Sequence, residues 1–496
     1  MIQNDFVLLL SAIAGNDAVL TGGSAAPYLS DWRGRYSGAA LAVVFPADTR
    51  QVADVVKLCA ANNIAIVPQG GNTSLCGGSV PLSLPVGGGQ IVLNLSRMNR
   101  IRALDPLNYT MTVEAGCILA DVREAADKGN RFFPLGLTAT QRFCEIGGNL
   151  STNAGGINVL RYGNARDLVL GLEVVLPDGR IWNGLRSLRK DNSGYDLKHL
   201  FIGAEGTLGI ITAAVLKLYP RPQSEATACV AVRDPAAAVA LLSHLRATCG
   251  DRISAFEIIS RSCLDLVFKH IPDTREPLVH STTVRPEVSK GEPVHGSIPH
   301  REREVKHEWI VITQLADVLS APLNAALREA LRSFGAGIAE FDISSGKDQA
   351  ERWWKLRKNI SEAQKREGIS IKHDVSVPVS RVADFIARAD ARLQKAYPGI
   401  RIVSFGHMGD GNIHYNISMA DAAQNKTFIA QQEAAVNKLV YEVVRELNGS
   451  ISAEHGLGQL KRETIRDYKG SLELELMHAI KQAFDPNGLM NPGKVL

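Results

Sequence analysis

The chain has 496 residues, 45% hydrophobic and 21% charged, a globular composition with length for two or three domains. A net charge of +4 is small for this size and gives no footing for nucleic acid or for a polybasic membrane contact. Seven scattered cysteines with no C-x-x-C pair argue for a reducing compartment, and against a disulfide frame, a thiolate zinc site or an iron–sulfur cluster.

Residues 1–37 read as a helical lead-in. Asp5 and Asp17 stand where a basic leader would need lysines, Leu8-Leu9-Leu10 is too short to span a bilayer, and no later apolar run reaches about 18 residues. The expectation is a soluble cytoplasmic protein without a membrane span. From residue 38 strand and helix patterns alternate. Strands are predicted at 40–45, 64–68, 91–95, 110–115 and 169–176, with an amphipathic helix at 49–62. Pro177-Asp178-Gly179 turns into a hairpin at 180–182, and a glycine turn introduces a strand at 206–212. This block, 38–220, ends at the linker Tyr219-Pro220-Arg221-Pro222-Gln223.

A second domain, 221–450, interleaves helices at 235–249, 322–334, 349–367 and 379–397 with strands at 228–232, 309–315, 337–343, 370–375 and 401–405. The pattern predicts an α+β architecture, with an antiparallel sheet carrying helices on one face. Residues 280–308 are polar and proline-rich and carry His280, His295, His300 and His307; the composition favours a solvated loop over a metal-binding tract. A helix at 431–448 leads into a closing segment, 451–496.

The most informative stretch is Phe405-Gly406-His407-Met408-Gly409-Asp410-Gly411-Asn412-Ile413-His414-Tyr415-Asn416. Apolar and β-branched residues flank a Gly-Asp-Gly centre, the pattern of a tight hairpin. With Asp410-Gly411 as a two-residue loop, His407 falls opposite His414, their Cβ atoms roughly 5 Å apart. Two imidazoles at that distance can converge on one metal ion, and Asn416 points the same way. Ser452-Ala453-Glu454-His455-Gly456-Leu457-Gly458 adds a carboxylate and a third imidazole. Two histidines and a carboxylate make a three-ligand site with open positions. The donor set suits zinc, and manganese, cobalt or iron fit it too. The plainer alternative is a hairpin whose histidines only hydrogen-bond.

Two glycine-rich loops stand out in the first block. One runs from Val67-Pro68-Gln69-Gly70-Gly71-Asn72-Thr73-Ser74 to Gly77-Gly78-Ser79; the other runs from Pro134-Leu135-Gly136 through Gly147-Gly148 to Ser151-Thr152-Asn153 and Gly155-Gly156. Such loops turn backbone N–H groups toward a diphosphate, and Asn72, Thr73 and Ser74 add polar side chains. Neither is G-x-G-x-x-G or a P-loop, which disfavours a nicotinamide Rossmann site and an ATPase. Two of them in one domain point to an extended nucleotide cofactor.

With Gly203-Ala204-Glu205-Gly206-Thr207-Leu208-Gly209 and the closing Asn491-Pro492-Gly493-Lys494, these motifs make residues 38–496 resemble the FAD-linked oxidase family with a vanillyl-alcohol-oxidase-type flavin domain. That family includes D-lactate and D-2-hydroxyglutarate dehydrogenases and the glycolate oxidase flavin subunit. The resemblance implies a two-part FAD-binding domain with a substrate domain and a C-terminal segment that returns to the flavin. It places the FAD diphosphate on the loop after Pro68, at Gly70, Gly71, Asn72, Thr73, Ser74 and Gly77. The rest of the flavin falls to Pro134, Leu135, Gly136, Gly147, Gly148, Thr152, Asn153, Gly209, Ile211 and Asn491. No histidine suggests covalent attachment, so FAD is expected to be non-covalent. The longer 280–308 connection departs from the family pattern without touching a motif.

The resemblance also implies oxidation of a D-2-hydroxy acid. His407, His414 and Glu454 would hold the metal, His455 would take the hydroxyl proton, and hydride would pass to the flavin. Arg357 and Ser361, four apart on the 349–367 helix, would share a face and join Lys372 and Asn416 around the substrate. Two cations and a hydroxyl suit a distal carboxylate, which favours 2-hydroxyglutarate over lactate or glycolate; at the Ser361 position the 2-hydroxyglutarate dehydrogenases usually carry threonine. A solvated charged face is the competing reading of this lysine- and arginine-rich helix. A flavin-dependent alkyl transferase and a non-catalytic flavoprotein subunit are the readings outside dehydrogenase chemistry. The electron acceptor is expected to be an electron-transfer flavoprotein, a quinone or a partner subunit, and the chain is compatible with a homodimer.

Overall fold

The structure is a computed structural model that describes residues 2–84, 88–137, 140–278, 306–335 and 337–496. His280, His295 and His300 of the polar stretch lie outside the described residues; His307 is within them, its Nε2 3.1 Å from Glu340 Oε2. The chain divides into two compact units, residues 1–222 with 452–496, and residues 223–451.

The first unit holds two main sheets. β1 (Val19–Leu20), β2 (Val43–Val44), β3 (Ala65–Gln69) and β4 (Gln90–Asn94) lie in the order β1-β2-β4-β3, with β4 parallel to both its neighbours. The predicted 40–45 strand shrinks to its two fully buried valines. Asp48 caps the Thr49–Ala61 helix by accepting the Gln51 N–H at 2.9 Å. That helix sets Val52, Val55, Val56 and Cys59 against Ile66, Ile91 and Leu93.

The second sheet is antiparallel. β5 (Ile101–Asp105) and β6 (Thr110–Glu114) precede β7 (Arg131–Phe132), which pairs separately; β8 (Val169–Val175), β9 (Ile181–Gly184) and β10 (Ile210–Lys217) complete the order β5-β6-β10-β8-β9. β11 (Tyr219–Pro220) is the partner of β7. The two lobes are pinned through Glu173, whose Oε1 accepts from Thr49 Oγ1 at 2.7 Å, Thr212 Oγ1 at 2.9 Å and Arg102 Nη2 at 3.1 Å. The C-terminal tail joins the first lobe: Ile66 donates to Leu489 O and Asn491 donates back to Ile66 O, both at 2.8 Å.

The second unit is one seven-stranded antiparallel sheet. Its strands are β12 (Ser224–Val232), β13 (Ile253–Ser260), β14 (Trp309–Asp317), β15 (Ile338–Ile343), β16 (Ile371–Ser376), β17 (Ile400–Gly406) and β18 (Asn412–Met419), in the order β15-β12-β14-β13-β17-β18-β16. Helices cover both faces, not one as the pattern suggested. Cys229, Ala255, Ile259, Val403 and Phe405 pack with Trp353, Leu356, Ile360 and Leu264 on one side. On the other, Phe385 meets Tyr415 with ring centroids 5.4 Å apart and Tyr441 meets His373 at 5.5 Å. Strands buried on both faces lose the alternation that would have given this away; β12 is buried at seven consecutive positions, Ala226–Val232.

Two further expectations change. The helix at 349–367 breaks at Asn359 (φ −95°, ψ 2°) into Lys347–Lys358 and Ile360–Glu367, with Asn359 Nδ2 donating to Lys355 O at 2.8 Å. Asparagine competes for backbone partners inside a helix, and here it wins. The hairpin register pairs Phe405, not His407, with His414. The ladder stops at Gly406 and a turn over Met408–Asp410 closes the loop, with the Asn412 N–H held by Asp410 Oδ1 at 3.1 Å. His407 therefore leaves the ladder. Gly406 makes that exit possible: its φ is 156°, and a Cβ there would fall 2.5 Å from Asn412 O. Gly406→Ala is expected to destabilise the second unit by about 1–3 kcal/mol, read as a lower urea midpoint; an unchanged midpoint would contradict this account of the turn.

Candidate active site

In the first unit the two glycine-rich loops are in contact. A Cβ on Gly71 would fall 1.8 Å from the backbone O of Phe143, and one on Gly70 would fall 3.2 Å from the side-chain Oε2 of Glu145, so both glycines allow a close approach of the loops. Gly148 has nothing within 4 Å of such a Cβ, which leaves that wall open. Among the described residues, the half-exposed N–H groups of Gly70, Gly71, Asn72, Thr73 and Ser74 have no protein acceptor. A run of backbone donors without protein acceptors is the chemistry that receives a diphosphate, so the loops fit the FAD that the sequence implies.

The side chains of this cradle serve the protein more than the sequence suggested. Asn72 donates through Nδ2 to Ser30 O and accepts Ser79 Oγ, both at 2.8 Å, and so folds its own loop. Ser74 Oγ accepts the N–H groups of Cys76 and Gly78 at 3.4 Å. Thr152 Oγ1 donates to Gly148 O at 3.1 Å, and Asn153 Oδ1 accepts the Arg166 N–H at 2.9 Å. Pro68 packs under Gly206, and Pro134 O accepts Asn158 Nδ2 at 2.7 Å. Gly136 bridges to Gly156, while Leu135 and Ile211 are core residues. Gly147 packs against Ala115 and Gly209 against Val174; Gly77 packs against the Tyr36 ring.

The C-terminal segment is bound to this cradle through two residues. Asn491, 1% exposed, donates from Nδ2 to Gly78 O at 2.9 Å and to Glu205 O at 2.7 Å. The buried Glu205 carboxylate accepts the N–H groups of Leu457 at 2.7 Å and Gly458 at 2.9 Å. Burial pushes Glu205 up, opposed by those N–H groups and by Lys461 and Lys494; burial in turn draws Lys494 down to about 7 against the pull of Glu205. These contacts set Glu454 against the second loop, where a Cβ on Gly155 would lie 2.9 Å from Glu454 Oε2. His455 Nε2 stands 3.8 Å from Glu454 Oε1. Sequence reasoning missed Glu205 and also Glu145, whose Oε2 is buried without a partner among the described residues and whose carboxyl burial pushes up to about 8.

In the second unit, β18 aligns His414 and Asn416 on one face, with Asp374 and Lys372 of β16 opposite them. The His407 and His414 rings are 5.5 Å apart at 76°. His407 Nδ1 donates to Glu257 Oε1 at 2.6 Å, while Asp374 Oδ1 lies 3.7 Å from His414 Nδ1, beyond hydrogen-bond reach. Asn412 Nδ2 steadies Asp374 Oδ1 at 2.9 Å. A carboxylate behind an imidazole is the usual support of a metal-ligating histidine; His407 has that support, and with His414 beside it the donor types fit a divalent cation. Burial pushes the Glu257 carboxyl up, but Arg357 and His407 more than reverse this and hold it at about 2.

Arg357 donates from Nε to Glu257 Oε2 at 2.6 Å and lies 4.9 Å over the Phe405 ring. Ser361 is exposed on the following helix, across the Asn359 break from the half-buried Arg357. Asn416 is buried and donates to Gln364 Oε1 at 3.0 Å; Lys372 is half-buried. Neither Glu257 nor Asp374 was singled out from sequence. The available signal for Glu257 was a lone charge inside the apolar run Ile253–Ser260.

Comparison with known proteins gives the family. The family described as FAD linked oxidases, C-terminal domain, matches residues 221–495, and the FAD binding domain family matches residues 40–184. The chain is 36% identical over 467 residues to the mitochondrial D-2-hydroxyglutarate dehydrogenase of Arabidopsis thaliana, covering 94% of this chain and 77% of that one. It is 32% identical over 510 residues to the D-2-hydroxyglutarate–pyruvate transhydrogenase of Saccharomyces cerevisiae, covering all of this chain and 95% of that one. Among solved structures, 4-ethylphenol oxidase from Gulosibacter chungangensis superposes with a TM-score of 0.73 at 18% identity, over 100% of this chain and 97% of that one, a likeness of fold.

Two outcomes follow for the cradle. Asn491→Ala removes the donor to two carbonyls and is expected to cost about 1–3 kcal/mol, seen as a lower melting temperature together with faster FAD release; wild-type values for both would contradict the tie. Glu145 has a raised folded pKa, so its contribution is complete below about pH 4.5 and is lost as pH rises toward about 8. Across that window Glu145→Gln should gain on wild type by up to ~1.4 kcal/mol per pH unit, and the gain should level off above it. Parallel stability–pH curves would contradict a carboxyl kept neutral by burial.

Proposed function

This chain belongs to the family of FAD-linked oxidases, and from that premise we propose that it oxidises D-2-hydroxyglutarate to 2-oxoglutarate with FAD. It is an FAD-dependent D-2-hydroxy acid dehydrogenase. The observation that carries the reading is the pairing of the His407 and His414 rings, 5.5 Å apart, on the same sheet as Lys372, with Glu257 held between His407 and Arg357.

When bound, FAD supplies the hydride acceptor; the glycine loops hold it without a covalent bond. When bound, a divalent cation on His407, His414 and Glu454, zinc by donor type, supplies the Lewis acidity that lowers the alcohol pKa. His455 accepts the hydroxyl proton as the Cα hydride leaves. Asn416 and Lys372 line the substrate side of β18 and β16, and Lys372 with Arg357 holds the distal carboxylate. Ser361, exposed on its own helix, is not carried into this reading. Electrons are then passed to an electron-transfer flavoprotein or a quinone. All seven cysteines are free, which supports a reducing, cytoplasmic setting, and no helix among the described residues is long and apolar enough to cross a membrane.

A D-lactate or glycolate dehydrogenase is the second reading, favoured by the engagement of Arg357 Nε with Glu257 and by the exposure of Ser361. Anaerobic flavin bleaching separates the two: D-2-hydroxyglutarate should reduce the flavin faster than D-lactate or glycolate, and the reverse order selects the second reading. Lys372→Met should raise KM for D-2-hydroxyglutarate roughly tenfold, the value of one charge-assisted contact, with little change for D-lactate; equal effects would remove the carboxylate clamp. Arg357→Ala is the poorer probe, because it strands the Glu257 carboxylate at a cost of about 3–5 kcal/mol.

A further inference from the structure

β13 is apolar or small along its length except for Glu257, which is 1% exposed in its middle. A carboxylate at that depth persists only with partners, and Glu257 has two. Oε2 accepts Arg357 Nε at 2.6 Å and Oε1 accepts from His407 Nδ1 at 2.6 Å. The partners come from separate elements: Arg357 from the Lys347–Lys358 helix, His407 from the loop beyond Gly406. Both are hydrogen-bonded to this one carboxylate. Stability does not explain the arrangement, because well-packed apolar side chains usually do as well as a buried ion pair.

We propose that Glu257 is a positioning residue that holds His407 for the cation and Arg357 for the distal carboxylate of the substrate through the two oxygens of a single carboxylate, so that cation affinity and dicarboxylate selectivity depend on each other. This rests on the metal and substrate reading given above. With Nδ1–H donated to Oε1, Nε2 is the nitrogen that would meet a cation. With Nε committed to Oε2, the guanidinium presents its Nη edge to an incoming carboxylate, and the Phe405 ring 4.9 Å away fixes its plane. The same ring lies 5.0 Å from His414, so rotation of Arg357 disturbs the neighbourhood of both imidazoles.

Glu257→Gln keeps the volume but cannot accept from both partners with charge. The test uses the full-length FAD-loaded protein stripped of metal. Zn2+ is titrated against a chromophoric chelator, and kcat/KM is measured for D-2-hydroxyglutarate and D-lactate at saturating Zn2+. E257Q is expected to bind Zn2+ 10–100-fold more weakly and to lose roughly tenfold in the ratio of the two kcat/KM values. A merely structural role would lower melting temperature and FAD content while leaving both readouts alone. Should E257Q fail to fold, Glu257→Asp keeps the charge but is one methylene too short to span both partners, and it should show the same two losses. A wild-type protein that takes up no Zn2+ overturns the metal reading and the coupling with it. A wild-type protein that binds Zn2+, beside a variant that matches it on either readout, overturns the coupling alone.

Discussion

A carboxylate taken out of water has to be given donors, and both units of this chain turn that requirement into positioning. In the first, Glu205 is buried and satisfied by the N–H groups of Leu457 and Gly458, which hold the segment carrying Glu454 and His455. In the second, Glu257 is buried and satisfied by Arg357 and His407. Each carboxylate would be a liability alone, and removing any partner leaves a charge in the core. That penalty makes the geometry stiff, which is what a site needs if its groups are to stay within a fraction of an ångström of a reacting molecule.

Around Glu205 the remaining constraint is steric. Gly71 and Gly70 let the first loop close onto the backbone of Phe143 and the side chain of Glu145. Polar side chains there brace the loops: Asn72 ties Ser30 to Ser79, and Asn491 ties Gly78 to the backbone of Glu205. A cofactor bound by such loops is recognised by shape and by its phosphates. The cradle and the tail are thus one structure, although nearly three hundred residues of sequence separate Glu205 from Asn491.

How much of this was legible in the sequence varies with the range of the interaction involved. The glycine loops, the helix behind Asp48 and the existence of the 405–416 hairpin are local patterns and were readable. The hairpin register was not: Gly406, Gly409 and Gly411 offer several places for the chain to turn, and the choice is made where Gly406 meets Asn412 and β13. β13 itself, with Glu257, was passed over because an apolar run broken by one charge looks like no amphipathic pattern. The break at Asn359, between Arg357 and Ser361, falls at one residue inside a helical pattern and leaves the periodicity unchanged. Helices on both faces of the second sheet were hidden because doubly buried strands do not alternate.

The proposal on which the account turns is that His407, backed by Glu257, and His414 would present their outer nitrogens to one divalent cation. Anomalous diffraction at the zinc edge, from crystals of the FAD-loaded protein exposed to Zn2+ and D-2-hydroxyglutarate, tests it most directly. The account predicts one peak about 2.0–2.1 Å from Nε2 of both rings, with Nδ1 of His407 still facing Glu257. A peak elsewhere, or rings turned to offer Nδ1, would contradict it.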